Sequence, residues 1–230
     1  MLGYNAPMSG YFVAVEGIEG SGKTTQLRLL AAQLREEGNE IVTTKEPGGT
    51  PLANRIRAIL LDPQEDGMDP LTELFLYVAS RRQHVVEIIR PSLESGAIVL
   101  CDRYVDATLA YQGFGRLLDL DRLRALNDWA TDSINPDLTL IYDLPEAVGL
   151  ARARKRNDSS AHLQGESRLE GEDMRFHRRV REGYLALAVA EPARYAVIDA
   201  SGTVEEVFDL TRSVIMSRSS PLSLASRRGA

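Results

Sequence analysis

The chain has 230 residues, 43% hydrophobic and 26% charged, the composition of a globular protein with one sizeable core. Its formal net charge of -6 argues against a nucleic-acid-binding surface, because duplex affinity is built from Lys and Arg at phosphates. Cys101 is the only cysteine, which excludes an internal disulfide and makes a reducing cytoplasm the default expectation; no stretch approaches the roughly 20 apolar residues of a membrane span.

Residues 1–10 carry no secretory signal pattern and are expected to form a flexible segment ahead of a single domain over 11–216. The run Tyr11-Phe12-Val13-Ala14-Val15 reads as a strand and leads into Gly17-Ile18-Glu19-Gly20-Ser21-Gly22-Lys23-Thr24, followed by Thr25. This is a complete phosphate-binding loop pattern in its strand-to-helix context. Gly17, Gly20 and Gly22 let successive N–H groups, with Ser21 and Thr25 alongside, face phosphate oxygens. Lys23 reaches the β and γ phosphates, and the Thr24 hydroxyl is a Mg²⁺ ligand. The helix that follows adds its positive dipole end. Its apolar positions are Leu27, Leu30, Ala31 and Leu34, and Gly38 is its stop.

Glu40-Ile41-Val42-Thr43-Thr44 reads as the second strand. After the turn at Gly48 and Gly49, Thr50-Pro51 is an N-cap and first helical residue, and Asp69-Pro70 repeats that signal. Leu71, Leu74, Phe75, Val78, Val85, Val86 and Ile89 predict one apolar face on a long helix reaching about residue 94. Ala97-Ile98-Val99-Leu100-Cys101 ending at Asp102, Leu138-Thr139-Leu140-Ile141-Tyr142 ending at Asp143, and Tyr195-Ala196-Val197-Ile198 ending at Asp199 are continuous apolar runs of buried parallel strands. The alternation predicts an α/β fold, a P-loop NTPase-like parallel sheet of about five strands with helices on both faces and ligands beyond the C-terminal strand ends. Thr203 and Glu206 form a capping box for the last helix, and 217–230 reads as a disordered tail. The polar stretch at about 156–171 has two readings, a solvated loop or a lid over bound phosphates, the latter favoured by the basic residues around it.

Phosphoryl transfer needs in-line positioning, Mg²⁺ and positive charge at the transferring group. Asp102, at the end of a buried strand, is placed to hold Mg²⁺ or its waters opposite Thr24, the alternative being a structural ion pair. Arg103 offers a planar fork to phosphate.

The loop at 17–25 stands in order with Glu46-Pro47-Gly48-Gly49-Thr50, Ser80-Arg81-Arg82-Gln83-His84, Asp102-Arg103-Tyr104 and Ala110-Tyr111-Gln112-Gly113. In these motifs the chain resembles bacterial thymidylate kinase over about residues 11–216. The resemblance implies transfer of the γ-phosphoryl group of ATP to dTMP with Mg²⁺, in a homodimer. It implies a dTMP site of Glu19 at the 3′-hydroxyl, Glu46, Arg57 and Arg103 at the acceptor phosphate, and Arg81, Thr108 and Gln112 at the thymine edge. Tyr77, four residues before Arg81, takes the place of a stacking aromatic that is usually Phe. Lys45 stands where Arg commonly precedes Glu46. His84 reads as a helix-packing or surface residue, and no general base is nominated, since the acceptor phosphate oxygen is already ionised at neutral pH. Some members carry an Arg inside the loop; Gly20 and Ser21 occupy those positions here, which moves the catalytic charge to a lid arginine, with Arg154 and Arg168 the candidates. A kinase acting on dUMP, dCMP or deoxynucleosides and a non-catalytic nucleotide sensor are the alternatives. A GTPase is disfavoured by the missing Asn-Lys-x-Asp motif.

Overall fold

The computed structural model describes residues 9–158 and 168–218, with the side chains of 156–158 not described. Most of the expected N-terminal segment, the centre of the expected lid and nearly all of the expected tail therefore lie outside the described residues. Five strands, β1 (Tyr11–Glu16), β2 (Ile41–Lys45), β3 (Ile98–Asp102), β4 (Leu138–Asp143) and β5 (Tyr195–Asp199), form one parallel sheet in the order β2-β3-β1-β4-β5. The central strands are apolar on both faces because helices cover both. Val13 and Val15 pack under α1 (Lys23–Glu36) and α9 (Val204–Ser217), while Phe12 and Ala14 pack against Val85, Ile89 and Leu93.

β1 and β3 are neighbours, with Val15 opposite Asp102. That register sets the loop after β1 beside the carboxylate that ends β3. β2 lies one residue later than the sequence pattern places it, so Lys45 is its last residue, opposite Asp102.

Local signals account for the helix starts. Thr50 Oγ1 accepts from Ala53 N at the start of α2 (Pro51–Leu61), Asp69 Oδ1 caps α3 (Pro70–His84), and the Thr203–Glu206 capping box opens α9. The long helix predicted after Asp69 is interrupted by a π-helical turn, Val85–Ile89, before α4 (Arg90–Glu94). Pro91 explains it: proline has no N–H and its ring crowds the carbonyl four residues back, so the chain leaves regular α geometry ahead of it. The single predicted apolar face also divides. Leu74, Val85 and Ile89 are buried, whereas Leu71, Phe75 and Val86 are exposed.

Between β3 and β4 the chain forms α5 (Val105–Thr108), a second π-helical segment, Leu109–Gly115, and α6 (Leu120–Thr131). After β4 come α7 (Glu146–Asp158), a short 3-10 turn at Arg168–Gly171 and α8 (Met174–Ala190). Among the described residues no helix is long and apolar enough to cross a membrane.

Candidate active site

The C-terminal ends of β1, β2 and β3 open onto a cavity of about 300 Å³. One wall is the phosphate loop. Gly20 has φ +71° and no room for a side chain: a Cβ there would sit 2.0 Å from the Gly149 carbonyl oxygen on α7. The loop is thus packed backbone to backbone on the helix that carries Arg154, which is why an arginine cannot occupy that position here. Lys23 is only 7% exposed, and its Nζ donates to the carbonyls of Gly17 at 2.9 Å and Ile18 at 2.6 Å and to Ser21 Oγ at 3.4 Å. Burial, and then the charge of Arg103, pull the Lys23 ammonium down to about 8.

Thr24 Oγ1 donates to Asp102 Oδ2 at 2.6 Å. Two hard oxygen donors, one from the first turn of α1 and one from the end of β3, thus converge beside the loop. That set suits Mg²⁺, which takes one or two protein oxygens and fills the rest of its octahedron with phosphate and water.

The opposite wall is built around Arg103, which follows β3. Its Nη2 donates to Glu19 Oε1 at 2.8 Å and to Tyr111 Oη at 3.0 Å, and its Nη1 donates to Tyr184 Oη at 3.1 Å. Of its five N–H groups, two have no partner among the described residues and are available to an anion. Glu19 also accepts from the Tyr111 hydroxyl at 2.7 Å. Burial pushes the Glu19 carboxyl up, but Arg103, Lys23 and the Tyr111 hydrogen bond outweigh that and hold it below the usual range.

Arg81 on α3 is 1% exposed and nearly fully engaged. Its Nε donates to Glu46 at 2.7 Å, Nη1 to Thr108 at 2.9 Å and Asn127 at 2.6 Å, and Nη2 to the Tyr104 carbonyl at 3.0 Å. One N–H is left for a ligand. Glu46 spends both oxygens inside the protein, the second on His84 Nδ1 at 2.9 Å, and His84 Nε2 lies 2.6 Å from Thr44 Oγ1. His84 is therefore a buried link that orients Glu46 and, through it, Arg81. Gln112 donates to Glu73 at 2.7 Å, which leaves its amide oxygen and one N–H over. Arg57 donates to the Pro47 carbonyl at 2.8 Å.

Glu19, Gly20, Lys23, Thr24, Glu46, Arg57, Tyr77, Arg81, Asp102, Arg103, Thr108 and Gln112, all predicted, line this one cavity. The other predicted loop residues, Gly17, Ser21, Gly22 and Thr25, are not among its lining residues, and neither are the two lid arginines. Arg154 is exposed on α7. Arg168 is 8% exposed in the 3-10 turn, where it pairs with Glu73 and donates from Nε to the Leu60 carbonyl at 3.4 Å. Its neighbours Leu169 and Glu170 do line the cavity. The sequence motifs give no role to Tyr111 or Tyr184, although Tyr111 stands beside Gln112 in one of them. The π-helical segment is what turns both Tyr111 and Gln112 inward.

Residues 15–210 match the family model described as thymidylate kinase. A thymidylate kinase of Geobacter sulfurreducens is 54% identical over 209 residues, 91% of this chain and 98% of that protein. One from Syntrophotalea carbinolica is 53% identical, covering 86% of this chain and 91% of its own. The crystal structure of a thymidylate kinase from Ehrlichia chaffeensis superposes with a TM-score of 0.73 at 37% identity, over 90% of this chain and 99% of that one.

Proposed function

The chain belongs to the thymidylate kinase family, and from that premise we propose how its residues divide the reaction, ATP plus dTMP to ADP plus dTDP. The observation that carries the assignment is the meeting, in one cavity, of a phosphate loop with a Thr24–Asp102 pair and a second cationic wall around Arg103. Lys23 exchanges its loop carbonyls for the β and γ phosphates of ATP. Thr24 and Asp102 hold Mg²⁺, which when bound neutralises phosphate charge. Arg103 and Arg57 receive the acceptor phosphate, an anion that needs no general base. Glu19 accepts from the 3′-hydroxyl, Tyr77 stacks on thymine, and the N–H left on Arg81 with the free groups of Gln112 and Thr108 read its edge.

Charge for the transition state comes from Arg154 or Arg168 when the lid region closes; for Arg168 that requires leaving Glu73. The reaction runs in the cytoplasm. The chain pairs with a second copy across the exposed apolar residues of α2, α3 and α6, where Phe75 is 57% and Trp129 81% exposed. Sedimentation at micromolar concentration tests that pairing, and a monomer would contradict it.

The residue assignment is tested by steady-state kinetics with dTMP varied. Arg103→Ala is expected to impair acceptor use severely, whereas Arg154→Ala or Arg168→Ala lowers kcat more than it raises KM. Wild-type kcat in both lid variants would sink the lid assignment.

A further inference from the structure

Glu16 ends β1 with no solvent exposure, one residue before the phosphate loop, and the reaction as assigned gives it no part. Its carboxylate oxygens reach Arg103 from two ends. Oε1 accepts from the Tyr104 backbone N–H at 2.7 Å, which fixes the peptide that follows Arg103. Oε2 accepts from the Tyr184 hydroxyl at 2.6 Å, and that hydroxyl accepts in turn from Arg103 Nη1 at 3.1 Å. The backbone of Arg103 requires such holding, because its φ is +71°, a conformation that a non-glycine residue keeps only when its surroundings over-determine it. On the other side, Arg103 N donates to the Val15 carbonyl at 3.0 Å.

We propose that Glu16 is a positioning residue for Arg103, bracketing its strained backbone and its guanidinium together in the pose that receives the acceptor phosphate. The proposal rests on the assignment of Arg103 given above. Tyr184 is the relay: without its hydroxyl, the carboxylate holds only the backbone end.

The charge state of Glu16 matters to the bracket. The ionisable groups that bear on it are Arg103 after β3, Asp106 on α5, Tyr184 on α8, Lys23 on α1 and Cys101 on β3. Asp106 is already paired with Arg194 and accepts from Tyr195 and Thr139. Burial, with Arg103 opposing it and Asp106 adding to it, pushes the Glu16 carboxyl up to about 7. The bracket is therefore complete above about 7 and weakens as pH falls through it. Protonation removes the charge and leaves Oε2 a poorer acceptor for the Tyr184 hydroxyl, which weakens the link through that hydroxyl to Arg103.

The test is the KM for dTMP and for ATP across pH in the full chain. Glu16→Gln keeps the shape but not the charge, and is expected to raise the KM for dTMP about 10-fold at about pH 8 with the KM for ATP within about 2-fold. At about pH 6 the wild-type enzyme has lost the same charge, and the two values converge; the second ionisation of dTMP itself, near 6, is common to both. Tyr184→Phe breaks only the relay and gives the same selective rise, which keeps the question answerable should Glu16→Gln fail to fold. A KM for dTMP within about 2-fold of wild type in both variants, or a Glu16→Gln ratio unchanged between those pH values, overturns the proposal. Arg103→Ala separates the role of Arg103 from its bracketing by Glu16. If it leaves the KM for dTMP unchanged, the assignment of Arg103 fails; if it alone is impaired, only the bracket fails.

Discussion

Gly149→Ala tests the packing of the phosphate loop on α7 with a single methyl group. The added Cβ would lie 2.4 Å from the Glu19 carbonyl oxygen and 2.9 Å from Ile18 Cδ1. An ordinary carbon–oxygen contact is about 3.3 Å, so the loop and α7 must separate by about 1 Å. Glu19 and Ile18 are loop residues, and the Ile18 carbonyl is one of the acceptors that hold Lys23. A displacement of that size at the reacting groups costs on the order of 10²-fold in rate. Stability changes less: overpacking costs about 1–3 kcal/mol, and replacing a helical glycine by alanine returns up to about 1 kcal/mol. The expected result is a melting temperature lower by a few degrees with kcat/KM reduced about 100-fold, read by thermal melts and coupled ADP release. A kcat/KM within about 2-fold of wild type at unchanged or higher melting temperature would show that the loop does not depend on this contact.

The Tyr77 hydroxyl has no hydrogen-bond partner among the described residues, and burial, reinforced by Glu73, pushes it up to about 12, so it stays a neutral phenol. Tyr77→Phe should leave the KM for dTMP within about 2-fold, while Tyr77→Ala removes stacking of about 1–3 kcal/mol and raises it about 10- to 100-fold. Equal effects of the two substitutions would locate the contribution in the hydroxyl instead. With Lys23 drawn down to about 8 in the free protein, its charge is present below that pH and lost above it, whereas bound phosphates favour the charged form. The KM for ATP should therefore climb above pH 8, approaching 10-fold per unit by about pH 9, and a flat profile there would contradict the engaged, low-pKa lysine.

The features legible in the sequence are those that local chemistry decides. The loop glycines, the apolar strand runs, the caps Thr50 and Asp69 and the Thr203–Glu206 box each need only neighbours within a few residues, and the structure has all of them. The α3 residues were harder, because helical spacing marks Leu74 and Phe75 alike as apolar. Only the packing of α3 on its neighbours buries the first and leaves the second exposed. The π-helical segment that turns Tyr111 and Gln112 into the cavity has no local signature, and neither does the part played by Tyr184, which reads as one more core residue on α8. The Arg168–Glu73 pair spans 95 residues of chain, and the Gly20–Gly149 contact is between backbones. Spacing patterns carry no information about either. Chemistry-bearing residues were thus readable where a motif names them and silent where they support another residue from a distant element.

A cavity with this lining should accept dTMP and phosphorylate it. A coupled ADP-release assay with dTMP, dUMP, dCMP and the ribonucleoside monophosphates tests that most directly. The highest kcat/KM is expected for dTMP, with dCMP slower by at least about 100-fold because the groups that read the thymine edge would be left unpaired. Preferential turnover of dCMP, or ATP binding with no ADP formed when dTMP is added, would contradict it.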